Sequence, residues 1–302
     1  MITAVAKSFI DSEPAREPVC ALALSLSNSS LMHGRTPPRL IVVCVAMLLV
    51  SAKSYAQTRL LADGIASKAF EGALAPFPSA EKLSYDIEWR LIYAGSAQLT
   101  LAPKPGEPRK WDSQLRVESG GLVSKLYTLE DTYNIGMDDG FCTAATHLDS
   151  VEGKRHHETR VVYDHTRGKA SSVERDLNKG IVIKSSEVEI PACAIDAISG
   201  LYKLRIDKLE PGESRQVPMS DGKKTAWVRV EAQDREQVKI KAGTFDTIRY
   251  EVSLFNGALY SRKGDMSVWL TDDAHRLPVQ IRARMSFPIG SITFELTKDE
   301  HP

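Results

Sequence analysis

The sequence predicts a mainly β fold, a long antiparallel meander curled into a barrel or half-barrel, with one intervening helix at about residues 196–207. Apolar and polar residues alternate with a period of two through most of the chain after residue 77, as is typical of strands with one buried face. Short turn signals such as Asn256-Gly257 separate the alternating segments. Within that part of the chain, residues 196–207 break the pattern and carry apolar side chains at three- and four-residue spacings.

The N-terminal part of the chain predicts an export signal. Residues 40–51 form an uninterrupted apolar run, too short for a comfortable membrane span, and Arg35 and Arg39 stand in front of it. Small residues at the −3 and −1 positions favour cleavage after Ala56. We therefore expect a signal peptide at residues 32–56, with an uncleaved anchor as the alternative.

The expected signal peptide divides the rest of the chain. Residues 1–31 fit no part of such a signal, and we expect them to be an upstream extension before a true start at Met32. Residues 57–76 are expected to be a lead-in segment, and residues 77–302 a single β-rich domain. The exported chain should have no transmembrane segment after cleavage.

The charge balance argues against nucleic acid as a partner. Removal of residues 1–56 takes away five basic and three acidic residues, which leaves 34 basic and 36 acidic residues and a formal net charge of −2. Phosphate binding requires a basic surplus gathered on one face, and no basic run of five or more occurs.

The strands are expected in a regular order. The residues that alternate with polar neighbours in the first strand, and should share its buried face, are Leu83, Tyr85, Ile87, Trp89 and Leu91. Gly95 is interpreted as the turn that follows. Further strands are expected at residues 97–101, 111–118, 127–137, 146–151, 155–163, 169–175 and 181–190. After the helix they are expected at residues 225–232, 237–241, 247–255, 258–262, 266–270, 277–287 and 291–297.

The single predicted helix has a capping residue and one apolar face. Ile198, Leu201, Tyr202 and Arg205 recur at helical spacing, and Asp196 is placed to act as the N-cap. A helix of about three turns is expected there.

Two cysteines remain after the expected cleavage, Cys142 and Cys193. In an exported chain such a pair favours a disulfide over two buried thiols. Closure of this loop would add about 4 kcal/mol to the free energy of unfolding in the chain-entropy model.

The histidines are the best enzyme-like cluster. His147, His156 and His157 lie on two strands paired as a hairpin with a turn at Glu152-Gly153, a register that places Asp149 opposite His156 and Leu148 opposite His157. A metal site would need three or four convergent ligands, and the polar surroundings favour a solvated hairpin instead. No nucleophile elbow, phosphate loop or paired-cysteine metal motif occurs, and we expect no cofactor and no metal.

Aromatic residues form the second cluster. Strand residues of this kind can line a cavity for an apolar ligand inside a curled sheet, or they can fill a plain core, and the sequence leaves both open. The candidate ligand-binding residues are Tyr85, Trp89, Tyr202, Trp227, Tyr250 and Trp269.

Residues 266–281 contain two adjacent acids and a histidine. Asp272, Asp273 and His275 would suit a catalytic site, but strand alternation continues on both sides of them. Aspartate is favoured in turns, where its side chain bonds nearby backbone amides, and Pro278 suits the start of a strand. The segment is therefore interpreted as a hairpin connection.

Three segments in order resemble an exported bacterial family, domain of unknown function 3108. The first is Asp196-Ala-Ile-Ser-Gly-Leu-Tyr-Lys-Leu-Arg205, the second Lys241-Ala-Gly-Thr-Phe245, and the third Val268-Trp-Leu-Thr-Asp-Asp-Ala-His-Arg-Leu-Pro-Val279. Ala80 stands where the family usually has glycine. The resemblance covers about residues 77–298 and implies an exported, β-rich domain without an assigned activity. A weaker likeness to periplasmic lipoprotein-carrier half-barrels concerns the fold alone.

Together these observations favour a non-enzymatic module of the bacterial periplasm or outer-membrane periphery. It would hold an apolar ligand, such as a lipid, or a segment of an envelope protein in its curved sheet. The alternative is a metal-assisted envelope hydrolase that uses the region of His147, His156 and His157. A third possibility is a structural module that presents a sheet edge to a partner.

Overall fold

The computed structural model describes residues 80–107, 109–255, 259, 264–286 and 290–302. The expected upstream extension, signal peptide and lead-in lie outside these residues, as does nearly all of the strand expected at residues 258–262. The first eight strands are β1 Glu81–Trp89, β2 Ile92–Pro103, β3 Lys110–Ser119, β4 Leu129–Asp138, β5 Thr143–Glu152, β6 Arg155–Asp164, β7 Lys169–Asp176 and β8 Ile181–Glu189. The other six are β9 Ser214–Ser220, β10 Thr225–Ile240, β11 Gly243–Val252, β12 Gly264–Thr271, β13 Pro278–Met285 and β14 Gly290–Glu300. The helices of the described residues are α1 Gly121–Leu126 and α2 Ala197–Ile206.

All fourteen strands belong to one antiparallel sheet. Its order is β8-β7-β6-β5-β4-β3-β2-β1-β14-β13-β12-β11-β10-β9, so two meanders are joined where β1 pairs with β14. In that pairing Ile87 lies opposite Phe294. The sheet is not closed, because β8 and β9 remain its two edges. The predicted mainly β meander is confirmed.

The core lies against one face of this sheet. Alternate residues of β1, β2 and β3 are buried together with the apolar face of α2, in one continuous hydrophobic cluster. Leu254, Phe255 and Leu259, from the connection between β11 and β12, belong to the same cluster. The tip of the β9–β10 hairpin extends to the other end of the sheet, where Tyr163 donates a hydrogen bond to the carbonyl oxygen of Ser220.

The predicted helix is confirmed, and so is its cap. Asp196 precedes α2 in an extended conformation, and its carboxylate accepts hydrogen bonds from the amides of Ile198 and Ser199. The predicted disulfide is also confirmed: Cys142 and Cys193 are bonded, which ties the β4–β5 turn to the segment that enters α2.

Several boundaries differ from the prediction. β9 and α1 were not predicted, and residues 225–240 form one strand rather than two. The first strand ends at Trp89, so Leu91 lies in a turn and is 88% exposed instead of facing the core. Gly95 is not a turn residue but lies in β2. Glycine is needed there because a Cβ would stand 2.0 Å from the carbonyl oxygen of Glu118 on β3. A glycine that permits close backbone approach gives the same sequence signal as a turn glycine.

Candidate functional site

Four of the six candidate aromatic residues are buried, and three of them are tyrosines. Tyr85, Tyr202 and Tyr250 are buried in the hydrophobic cluster. The hydroxyl of Tyr85 donates to the carbonyl oxygen of Pro278 at 2.9 Å, and that of Tyr250 donates to the carbonyl oxygen of Leu209 at 3.0 Å. Burial is the main reason why the pKa of Tyr85 and Tyr202 is raised. These tyrosines join the helix region to the sheet through the polar ends of their side chains.

The three candidate tryptophans differ in burial. Trp269 is buried and belongs to the same hydrophobic cluster, Arg282 covers its ring, and its indole nitrogen donates to Glu236. Trp227 lies on the outer side of β10 and is exposed. Trp89 lies at the end of β1 and packs partly against the core. The structure therefore does not gather the six aromatic residues around one site.

Polar groups are concentrated between α2 and the strands beneath it. Arg205 forms two hydrogen bonds with the carboxylate of Glu81, at 2.6 and 2.7 Å, and a third with the carbonyl oxygen of His275 at 3.1 Å. Thr143 donates to Asp196 or to Ser199, whose oxygens lie at 3.1 and 2.8 Å. These contacts fix the helix against strands from both halves of the sheet, so they serve the fold.

One carboxyl group of the inward face has an unusual pKa. Asp131 on β4 is buried, and burial raises its pKa to about 6 although a hydrogen bond from Ser150 at 2.6 Å opposes the shift. Ser150 lies directly opposite Asp131 on β5. Such a carboxyl group changes charge in a mildly acidic medium.

The histidines do not converge on one site. His147 lies 3.0 Å from Glu158, His156 lies 2.8 Å from Asp149, and His157 lies 3.9 Å from Glu174, which also pairs with Lys223. Hydrogen bonds from Arg160 are the main reason why the pKa of Glu158 is lowered to about 2. Within the described residues, no group of three or more histidine, cysteine or acidic side chains is placed to hold a metal ion.

The predicted register of the histidine hairpin is wrong. The turn is Gly153-Lys154, so Asp149 lies opposite Glu158 and His157 opposite Ser150. Glycine with a positive φ of 58° occupies the first position of the turn, whereas the prediction placed it second. The Asp149 and His156 side chains still meet, because they are diagonal neighbours on one face.

Residues 272–276 form the predicted hairpin connection between β12 and β13. The carboxylate of Asp273 accepts hydrogen bonds from Thr271 and from the amides of His275 and Arg276. Burial alone would raise the pKa of Asp273, but these hydrogen bonds lower it overall. Asp272 pairs with Arg235 at 2.7 Å. Both acids are therefore engaged in holding the turn.

The two edges of the sheet differ in how they are covered. Pro218 lies within β9, and the segment before α2 is hydrogen-bonded to that edge. The Ile195 amide donates to the carbonyl oxygen of Pro218, and the Ser220 amide donates to the carbonyl oxygen of Ile195. Within the described part of the chain, no strand pairs with the outer edge of β8. Ile181, Val182 and Ile183 in β8 are each about half exposed. A bare apolar edge of this kind is a site for pairing with another extended chain.

Sequence reasoning placed a strand at residues 181–190 but did not identify it as an edge. The order of the strands depends on the pairing of β1 with β14, which brings together residues about 200 positions apart and has no local signal. One local signal was present: the run Ile181-Val182-Ile183 breaks the alternation that the other strands follow.

No described helix is long and apolar enough to cross a membrane.

Comparison with protein families gives a match over most of the described residues. A family model described as "Protein of unknown function (DUF3108)" matches residues 84–297. Comparison with the curated proteins gives no match. Among solved structures, the chain is similar to a β-barrel-like protein with a domain of unknown function, DUF1849, from Brucella abortus, at 8% sequence identity and a TM-score of 0.49. That alignment covers 74% of this chain and 97% of the other.

Proposed function

The chain belongs to the DUF3108 family, whose function is unknown, and we propose that it is a non-catalytic binding module of the bacterial envelope. Its ligand is an extended apolar segment of an envelope protein, which adds as a strand to the open edge of the curved sheet. The bare edge of β8 is the observation that carries this proposal.

The edge of β8 has the properties that strand addition requires. It is nine residues long, and the first five residues are all exposed. The main-chain groups on its outer side supply affinity for any extended segment, while side chains on both faces supply selectivity. Ile181, Val182 and Ile183 offer apolar contact on this edge, and Lys184 follows them. The preferred segment is therefore apolar, with an acidic residue that faces Lys184.

The far end of β8 is already engaged. Thr225, at the start of β10, donates a hydrogen bond to the carbonyl oxygen of Glu189 at 2.8 Å. The accessible part of the edge thus runs from Ile181 to about Ser186, which suits a short extended segment rather than a whole additional sheet.

The packing of the interior favours a segment of an envelope protein over an enclosed lipid as the ligand. The inward face of the sheet packs with α2 and with the β11–β12 connection in one continuous hydrophobic cluster. The tyrosines expected to contact a ligand instead bond to backbone carbonyl groups of the same domain. Three consecutive exposed apolar side chains of one strand lie instead at the edge, in β8.

The experiment uses a synthetic nine-residue peptide in which valine and threonine alternate and one glutamate is placed to face Lys184. Binding is measured by titration calorimetry, and hydrogen exchange reports which strand becomes protected. We expect protection at β8 and a loss of affinity of at least about tenfold in Val182→Lys, because the added charge opposes docking of an apolar segment.

Val162→Lys is the matched control. Val162 is also exposed, but it lies in β6 between two paired strands, so the substitution adds the same charge away from any edge. Equal affinity of the two variants, or protection of a strand other than β8, would contradict the proposal.

A further inference from the structure

A second apolar surface lies where β1 turns into β2. Leu91 comes from this turn, and Ile92 and Tyr93 come from the start of β2. Leu122 and Leu126 come from α1, which packs beside β2. We call these five residues the apolar rim. Leu91 is 88% exposed and Leu126 is 87% exposed. A cluster of apolar side chains that are this exposed is typical of a surface that binds something.

The two parts of the apolar rim are held together. The amide of Gly120 donates to the carbonyl oxygen of Ala94 at 2.7 Å. A Cβ atom on Gly120 would lie 2.8 Å from the ring of Tyr93, and one on Gly121 would lie 3.1 Å from it. The glycines thus let α1 approach Tyr93 closely, which makes one surface of two separate connections.

The backbone of the turn supports a functional role for Leu91. Arg90 has a φ of 50° and Leu91 a φ of 70°, both in the left-handed region. Hairpin turns of this geometry favour asparagine and glycine, because other residues are strained there. Leu91, which is almost fully exposed, breaks that local rule without a gain in packing, as is expected where the side chain is needed for binding.

The two segments that form the apolar rim carry only basic charges, although Glu88 of β1 lies opposite Tyr93. Residues 89–93 and 120–127 contain two basic residues, Arg90 and Lys125, and no acidic residue. Both basic residues are exposed. Trp89 lies under the Arg90 guanidinium, 5.3 Å from its carbon to the ring centre. Leucines flanked by tryptophan, tyrosine and basic side chains match the composition of surfaces that lie at the boundary between lipid headgroups and acyl chains.

We propose that the apolar rim docks the protein on the surface of an anionic lipid bilayer. Leu91 and Leu126 insert below the headgroups, Trp89 and Tyr93 lie at headgroup level, and Arg90 and Lys125 contact lipid phosphates. The contact is peripheral, because the rim offers single side chains rather than a spanning segment. This role is separate from strand addition at β8 and uses none of the same residues.

The test is sedimentation of the full chain with vesicles of phosphatidylglycerol and phosphatidylethanolamine, compared with vesicles of phosphatidylcholine alone. We expect preference for the anionic vesicles. The double variant Leu91→Ser/Leu126→Ser should bind at least about tenfold more weakly, since each inserted leucine contributes apolar transfer energy. Arg90→Gln/Lys125→Gln should weaken binding to anionic vesicles by about fivefold for each charge removed.

The control is Val162→Ser, which removes an exposed apolar side chain from β6, outside the rim. It should bind vesicles like the unaltered chain, and so should Val182→Lys. Equal binding by the double leucine variant and the control would overturn the proposal, as would failure of the unaltered chain to sediment with anionic vesicles. The double leucine variant should still bind the nine-residue peptide, which separates failure at the rim from failure at β8.

Discussion

Arg205 on α2 and Glu81 at the start of β1 form a doubly hydrogen-bonded ion pair in which both side chains are 1% exposed. The pair joins the helix to the strand at which the two meanders meet. An ion pair buried to this degree adds little net stability over an apolar pair of the same size, because both charges lose their hydration. Removal of one partner leaves the other charge buried and uncompensated.

Arg205→Met alone should therefore lower the free energy of unfolding by about 3–5 kcal/mol. The double variant Glu81→Leu/Arg205→Met should recover much of that loss, because neither charge remains buried. Urea unfolding followed by circular dichroism measures both. The control is Lys82→Met, which breaks the surface pair with Glu300 and should cost less than about 1 kcal/mol. A double variant as unstable as Arg205→Met would contradict this interpretation.

The Asp131 carboxyl group should make stability depend on pH. Burial raises its pKa in the folded protein to about 6, above an unfolded value of about 3.9, so the folded state binds this proton more tightly. The stabilisation is fully present below about pH 4 and is lost as the pH rises through 6, by up to about 3 kcal/mol.

Asp131→Asn tests this dependence, because its amide is never charged and its oxygen can still accept the hydrogen bond from Ser150. Unfolding free energies at pH 4 and pH 7 should differ less in the variant than in the unaltered protein. The variant should be the more stable of the two at pH 7. A difference between the two pH values that is unchanged by the substitution would show that another group is responsible.

The local elements were predictable because their causes are local. Alternation in Leu83, Tyr85 and Ile87 identifies β1, and an aspartate before a helical repeat identifies the start of α2. β9 was missed because Pro218 within it is a signal against strands, and it is tolerated only because β9 is an edge. α1 was missed because it has only six residues and no side-chain cap.

The candidate site was less predictable because it depends on distant pairing. Val268, Trp269 and Leu270 are all buried, so the local pattern of β12 does not say which face is inside. The bare edge at Ile181–Ile183 follows from strand pairing, since among the described strands β8 pairs with β7 alone, and its one local signal is that this run breaks the alternation. Leu91 is exposed because the strand ends at Trp89 and the chain turns at residues 90–91, whereas the alternation predicted a strand through Leu91 and a turn at Gly95.

The disulfide should matter for stability. It links residues 51 positions apart. In the chain-entropy model, closure of such a loop lowers the entropy of the unfolded chain and so raises the free energy of unfolding by about 4 kcal/mol. Cys142→Ser/Cys193→Ser should unfold at a correspondingly lower urea concentration. Addition of a reducing agent should destabilise the unaltered protein but not the double variant. Equal unfolding midpoints in oxidised and reduced protein would contradict the expectation.

Two glycines should respond to alanine in opposite directions. A Cβ on Gly95 would stand 2.0 Å from the carbonyl oxygen of Glu118, so Gly95→Ala must push β2 away from β3 and should destabilise the protein by more than about 2 kcal/mol. A Cβ on Gly200 would meet only side-chain atoms of Ile195 and Met219, at 3.5 and 3.6 Å. Because alanine favours a helix over glycine, Gly200→Ala should stabilise the protein by up to about 1 kcal/mol. Thermal and urea unfolding of both variants measures the difference, and destabilisation by Gly200→Ala would show that α2 packs too tightly against Ile195 for a methyl group.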